Sequence, residues 1–165
     1  MSCITRSKKE ILKNSTLIPT GETRKVDTTP FDFRNGKPIN KHIDLPNEQL
    51  SYGKGYDHNF VLNDFPKRED GLVFAAKAVE PNSGRVLEVF TNEPGLQFYG
   101  GNFLNGKIIG KSNKPYIFRS AFCLESQHFP NSPNQSDFPS TILKPNDIYI
   151  STCVYKFSTV NESKN

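Results

Sequence analysis

Glu125 closes the apolar run Phe122-Cys123-Leu124 and opens onto a long polar segment. A carboxylate at the end of such a strand-like run is well placed to act as a general base, because partial burial raises a carboxyl pKa toward working pH. Taken alone, an ordinary rim glutamate is the competing reading. A second candidate is Gly55-Tyr56-Asp57-His58-Asn59-Phe60. Asp57 accepts hydrogen bonds, Asn59 donates and accepts, and the flanking aromatics can cover apolar sugar faces, so the cluster suits a polyhydroxylated ligand. A structural Asx turn is its alternative. Gln97 lies between bulky apolar residues in Asn92-Glu93-Pro94-Gly95-Leu96-Gln97-Phe98-Tyr99. Its amide can fix a ligand hydroxyl from either direction, or bond core backbone instead. His42 sits in a polar linker and reads as solvated, His58 adjoins Asp57 and is expected to order its loop, and His128 follows Glu125 by three residues. No Ser/His/Asp or Cys/His constellation stands out. One His beside one Asp lacks the convergent partners of a metal site, and Gly100-Gly101 lacks the Lys-Ser/Thr of a phosphate loop.

Strands must position these groups. Leu72 to Val79 (LVFAAKAV) and Arg85 to Thr91 (RVLEVFT) flank the turn cluster EPNSG and read as a hairpin. Leu96 to Tyr99 continues the β character. Tyr116 to Glu125 alternates, with Tyr116, Phe118, Phe122 and Leu124 on an apolar face, which predicts a half-buried strand. Ile148 to Phe157, rich in β-branched and aromatic residues, predicts another. Between the last two lies a Pro-, Asn- and Ser-rich stretch that reads as a long loop. Charged Ser7 to Lys13 is the one helix-like stretch, with a further turn near Asn47 to Leu50, and the first dozen residues are expected to fray. Gly and Pro recur along the whole chain, which disfavours long helices. The fold class is therefore mainly β, an antiparallel β-sandwich.

A chain of 165 residues is the size of one domain, which runs to roughly 100–200 residues. Core-forming strength resides in 13 Phe and 6 Tyr rather than in Leu-rich stripes. A net charge of +4 without a basic run does not suggest nucleic acid. No stretch approaches the ~18 apolar residues of a spanning helix, and the first residues do not read as a secretory signal. Cys3, Cys123 and Cys153 are odd in number and widely spaced, which reads as reduced thiols of a cytoplasmic protein. Cys123 and Cys153 fall in apolar runs, where a free Cys behaves as a small hydrophobe, and Cys3 falls on an end expected to be mobile.

Taken in order, five segments resemble the aldose 1-epimerase (galactose mutarotase) family. They are IPTGE at Ile18 to Glu22, TPFDFR at Thr29 to Arg34, GYDHNF at Gly55 to Phe60, EPGLQFYGGNFLNG at Glu93 to Gly106 and RSAFCLESQHFPNSPN at Arg119 to Asn134. The resemblance runs from about Leu17 to Phe157, and the last segment is most similar in style to fungal mutarotases. It implies a galactose mutarotase-like supersandwich, here incomplete, and interconversion of the α and β anomers of aldoses such as galactose and glucose without metal or organic cofactor. It also implies roles. Glu125 falls on the family's general base for the C1 hydroxyl, and Asp57 and Gln97 fall on residues that bind the sugar.

The family's acid, as the resemblance has it, is a histidine in an N-terminal N-H-x-Y-F-N-L segment, with a second histidine and an arginine earlier still. Nothing in this chain matches those segments, and His58 and His128 belong to motifs of the other half. The expected organisation is a poorly ordered lead over 1–14, the C-terminal portion of an aldose 1-epimerase-like domain over 15–160, and a tail over 161–165. Expected partners are an aldose and a separate N-terminal half, with neither nucleic acid nor membrane. Loss of a general acid forfeits ~10²–10⁴-fold in rate, so little activity is expected from the chain alone. A non-catalytic truncated remnant or pseudoenzyme with residual carbohydrate binding is the alternative. Missing facing strands should also leave sheet edges and apolar faces exposed.

Overall fold

The computed structural model describes residues 1–62 and 67–160. Among the described residues, ten strands form two five-stranded antiparallel sheets. The first contains β1 (Ser2–Ile4), β4 (Lys37–Pro38), β6 (Val73–Val79), β7 (Arg85–Thr91) and β10 (Cys153–Thr159), in the order β10-β7-β6-β1-β4. The second contains β2 (Lys9–Lys13), β3 (Pro19–Lys25), β5 (Asp57–Val61), β8 (Gly95–Tyr99) and β9 (Cys123–Gln127), in the order β3-β2-β5-β8-β9. A short α-helix, α1 (Glu48–Gly53), leads into β5, and the Asn47 side chain caps it by accepting from the Gln49 and Leu50 amides. Its C-terminus closes on Lys54 in the left-handed region.

The inner faces of both sheets meet in one core. Ala75, Ala76 and Val89 come from the first sheet and Phe60, Leu96, Phe98 and Leu124 from the second. Aromatics fill the space between, as the Phe-rich composition suggested. Tyr56 stacks on Phe98 at 5.4 Å, and Phe33 meets Tyr56 edge-on at 5.0 Å. The buried Tyr56 hydroxyl donates to the Pro30 carbonyl at 2.9 Å, which keeps its polar end satisfied.

The hairpin predicted between Leu72 and Thr91 is β6–β7, paired Val73↔Thr91 through Val79↔Val86. Other local expectations need correction. The charged stretch from Ser7 to Lys13 is not helical. Its second half is β2, paired with β3 on one side and β5 on the other. Two neighbouring strands supply the backbone partners that override the helical propensity of Lys-Lys-Glu. Residues 1–14, expected to be a loose lead, thus carry both β1 and β2. Cys3 is in the core, not on a mobile end, and burial pushes its thiol pKa up to about 12. Cys123 and Cys153, expected to behave as small hydrophobes, are exposed.

The strand expected from Tyr116 onward begins only at Cys123. Arg119 adopts a left-handed φ of 57° and its amide bonds the Gly101 carbonyl, so the chain turns where the alternation already failed at Ser120. Tyr116 and Phe118 are exposed. The last strand likewise begins at Cys153 rather than Ile148. Before it, the Asn92 side chain bonds both the Thr152 amide and the Ile150 carbonyl in place of a ladder. The edge strand β10 is exposed along its whole length, Val154, Tyr155 and Phe157 included.

Candidate functional site

β5, β8 and β9 lie side by side, and their register decides which side chains meet. Asn59 pairs with Gln97, and Gln97 pairs with Glu125, while Asp57 pairs with Tyr99. Alternation puts all five on one face of the sheet. His58, Phe60, Phe98 and Leu124 point the other way, into the core. Gly95 opens β8 because the Asn59 carboxamide packs against it. A Cβ there would lie 2.6 Å from Asn59 Oδ1, closer than any side chain tolerates.

The three residues singled out from sequence, Asp57, Gln97 and Glu125, line one hollow of about 240 Å³. Gln97 Nε2 donates to Asp57 Oδ1 at 2.7 Å, so the amide and the carboxylate form a fixed pair. Glu125 stands at the rim and is exposed. The apolar setting expected for it is corrected here, because Leu124 faces the core and Cys123 faces solvent. Its pKa is nonetheless raised above the ordinary carboxyl value, first by desolvation and second by the negative charge of Asp57. A raised pKa makes a carboxylate a stronger base at neutral pH.

The same hollow takes Asn59, already part of the candidate cluster, and Lys13, Tyr99 and Gln127, which were not singled out from sequence as candidate site residues. Tyr99 and Gln127 were legible in principle, as the i+2 neighbours of Gln97 and Glu125 on the same strand faces. Lys13 was hidden by the helical reading of its segment. Its ammonium donates to the Asp57 carbonyl at 2.6 Å and lies 3.7 Å from Asp57 Oδ2, with only 6% of its side chain exposed.

His58 also borders the hollow, from the core side. His58 packs edge-on against Phe31 at 4.5 Å, and its Nδ1 accepts the Asp57 amide at 3.1 Å. Burial, with Lys13 and Arg24 nearby, drives its pKa well below the ordinary value, so the ring is neutral. His128 lines a separate cavity of about 570 Å³, where its Nδ1 lies 2.8 Å from the buried Glu93 carboxylate. Burial pushes the Glu93 pKa up, but hydrogen bonds from Ser151 and Tyr149 together with His128 outweigh it and hold the carboxyl below its usual range. His42 lies near Lys37 at 3.3 Å. Among the described residues, no group of three or more His, Cys, Asp or Glu could hold a metal, and no helix is long and apolar enough to cross a membrane.

A family model described as aldose 1-epimerase matches residues 3–156. The chain belongs to the aldose 1-epimerase family. Galactose mutarotase from Sus scrofa is 45% identical over 145 residues, covering 88% of this chain and 40% of that protein. Aldose 1-epimerase from Escherichia coli is 36% identical over 142 residues, covering 85% of this chain and 40% of its own length. Solved structures agree with the family. An aldose epimerase homologue from C. elegans superposes with a TM-score of 0.77 at 28% identity, over 97% of this chain and 46% of the other. Galactose 1-epimerase from Lactobacillus acidophilus gives 0.77 at 25% identity, over 96% and 43%. The chain therefore spans about 40% of the length of the curated family members it matches.

Proposed function

We propose that this chain carries the base-bearing part of an aldose 1-epimerase site, acting on aldoses such as galactose or glucose in the cytoplasm without a cofactor. Glu125 takes the proton of the C1 hydroxyl. As the C1–O5 bond breaks, C1 becomes an aldehyde and the ring oxygen takes up a proton from an acid. Rotation about C1–C2 and closure on the other face, with the two proton transfers reversed, give the other anomer. Asp57 and Gln97 hold sugar hydroxyls, with the carboxylate accepting and the amide free to do either.

One observation carries this reading: Asp57, Gln97 and Glu125, distant in sequence, share one hollow on three adjacent strands. Its polar lining and size also favour a single sugar ring over the drug-sized ligands of about 300–1,000 Å³ pockets. No histidine faces Glu125 as a charged donor, since His58 is held neutral and His128 lines a different cavity. The ring-oxygen acid is thus assigned to the part of a family-length protein that this chain does not match, an N-terminal half. The alternative, a non-catalytic remnant that still binds sugar, keeps Asp57 and Gln97 and drops the proton transfers.

Polarimetry on freshly dissolved α-glucose or α-galactose separates the two. Acceleration above buffer by the chain, or by the chain plus the unmatched part of a relative, that disappears in Glu125→Gln supports catalysis. Sugar-dependent NMR shifts at Gln97 without acceleration in either case support the remnant.

A further inference from the structure

Among the described residues Lys13 is the one Lys or Arg lining the hollow, and nothing in the family roles accounts for it. The strand that carries it is irregular, with the β2–β3 register shifting between Ile11 and Lys13. Such a bulge re-aims the side chains after it. The backbone of Lys13 is then clamped on both sides by one side chain. Its amide donates to Gln49 Oε1 at 3.0 Å, and Gln49 Nε2 donates to its carbonyl at 2.8 Å. The ammonium is thereby delivered against α1 and β5, and a Cβ on Gly53 would lie 3.1 Å from it. Asp57 is held from two sides, by Gln97 at Oδ1 and by Lys13 toward Oδ2.

We propose that Lys13 is a positioning residue of the sugar hollow: its ammonium fixes the Asp57 carboxylate beside Gln97 and offsets that carboxylate's charge at Glu125. The proposal rests on the reading of Glu125 as the base. Burial lowers the Lys13 pKa, while Asp57 and Glu10 act in the opposite sense, so the pair is already felt at the lysine. The groups facing Lys13 are Asp57 and His58 of β5 and Glu10 of its own strand, with Arg24 of β3 bonded to Glu10. Those facing Glu125 are Asp57, the neighbouring Cys123 and Tyr155 of β10, which feels the Glu125 charge.

The test is the carboxyl ¹³C NMR titration of Glu125 in the full 165-residue chain without sugar. Lys13→Met should raise the Glu125 pKa and Asp57→Asn should lower it, since a nearby positive charge lowers a carboxyl pKa and a nearby negative charge raises it. The Lys13→Met/Asp57→Asn double variant should return close to the wild-type value. If Lys13→Met does not fold, the titration of the Lys13 ammonium in wild type and Asp57→Asn replaces it, with a lower lysine pKa expected in the variant. A Glu125 titration unmoved by Lys13→Met, or a Lys13 titration unmoved by Asp57→Asn, overturns the proposal. Neither readout depends on turnover. The mutarotase reading can fail by polarimetry while this coupling stands, and the coupling can fail while turnover stands.

Discussion

Replacing Glu10 with Gln should change the pH dependence of stability more than stability itself. Glu10 is on the core side of β2, with no exposed side-chain surface, and Arg24 bonds it at 2.6 Å and 3.1 Å. Burial nevertheless wins, and its pKa is pushed up to about 7 against Arg24 and Lys13. The sign follows from linkage. Between the ordinary value of 4.5 and about 7, the folded state keeps a proton that the unfolded state has lost, so stability falls as pH rises through that window. The gap corresponds to about 3 kcal/mol, of which about 2.5 kcal/mol falls between pH 5 and pH 8. His58 works in the opposite direction, since its buried neutral ring makes the fold gain stability as pH rises toward the ordinary histidine value. That contribution is common to both proteins and cancels in the comparison. Glu10→Gln does not titrate, so its stability relative to wild type should rise by about 2.5 kcal/mol on going from pH 5 to pH 8. Urea unfolding at the two pH values, read by far-UV circular dichroism, measures this directly. A difference between variant and wild type that is the same at both pH values would refute the reasoning.

Three further outcomes follow from particular contacts. Gln97→Leu removes the amide that holds a sugar hydroxyl, a bond worth about 0.5–1.5 kcal/mol, and should weaken sugar binding up to about tenfold by NMR titration, whereas unchanged affinity would remove Gln97 from the site. Gly101→Ala puts a Cβ 2.5 Å from the Ala121 carbonyl at a φ of 72° and should cost more than about 1 kcal/mol, read as a lowered urea midpoint; an unchanged midpoint would contradict the crowding. Phe157→Ser removes a side chain that is 76% exposed on the outward strand β10, and should reduce self-association in light scattering, while a wild-type chain already monomeric at high concentration would contradict it.

The fold class was legible because short runs of β-branched and aromatic residues are bounded by Gly, Pro, Asn and Ser clusters along the chain. β6 and β7 are strand-forming runs on either side of EPNSG, which made the hairpin legible, although the register shift between Phe74 and Ala76 was not. The site residues were legible for a different reason. Asp57, Gln97 and Glu125 lie in motifs of recognisable order, and the β5-β8-β9 register then brings them to one face. Long-range pairing hid the rest. Lys8-Lys9-Glu10 leads into β2 and favours a helix in isolation, and only the two partner strands of β2 make it a strand. Lys13 was lost with that misreading, because neither the bulge before it nor the Gln49 clamp has a local signature. Tyr116 to Phe122 failed in the reverse sense. Alternation was present, but the left-handed turn at Arg119 and its bonds to Gly101, Asp44 and Lys54 depend on distant parts of the chain.

The most direct test of the central claim is the polarimetric decay of α-galactose with the chain, with and without the unmatched part of a family member, in wild type and Glu125→Gln. Wild type should accelerate the decay when the site is whole, and Glu125→Gln should lose ~10²–10⁴-fold of that acceleration. Equal acceleration by the two proteins would contradict the assignment of Glu125 as the base.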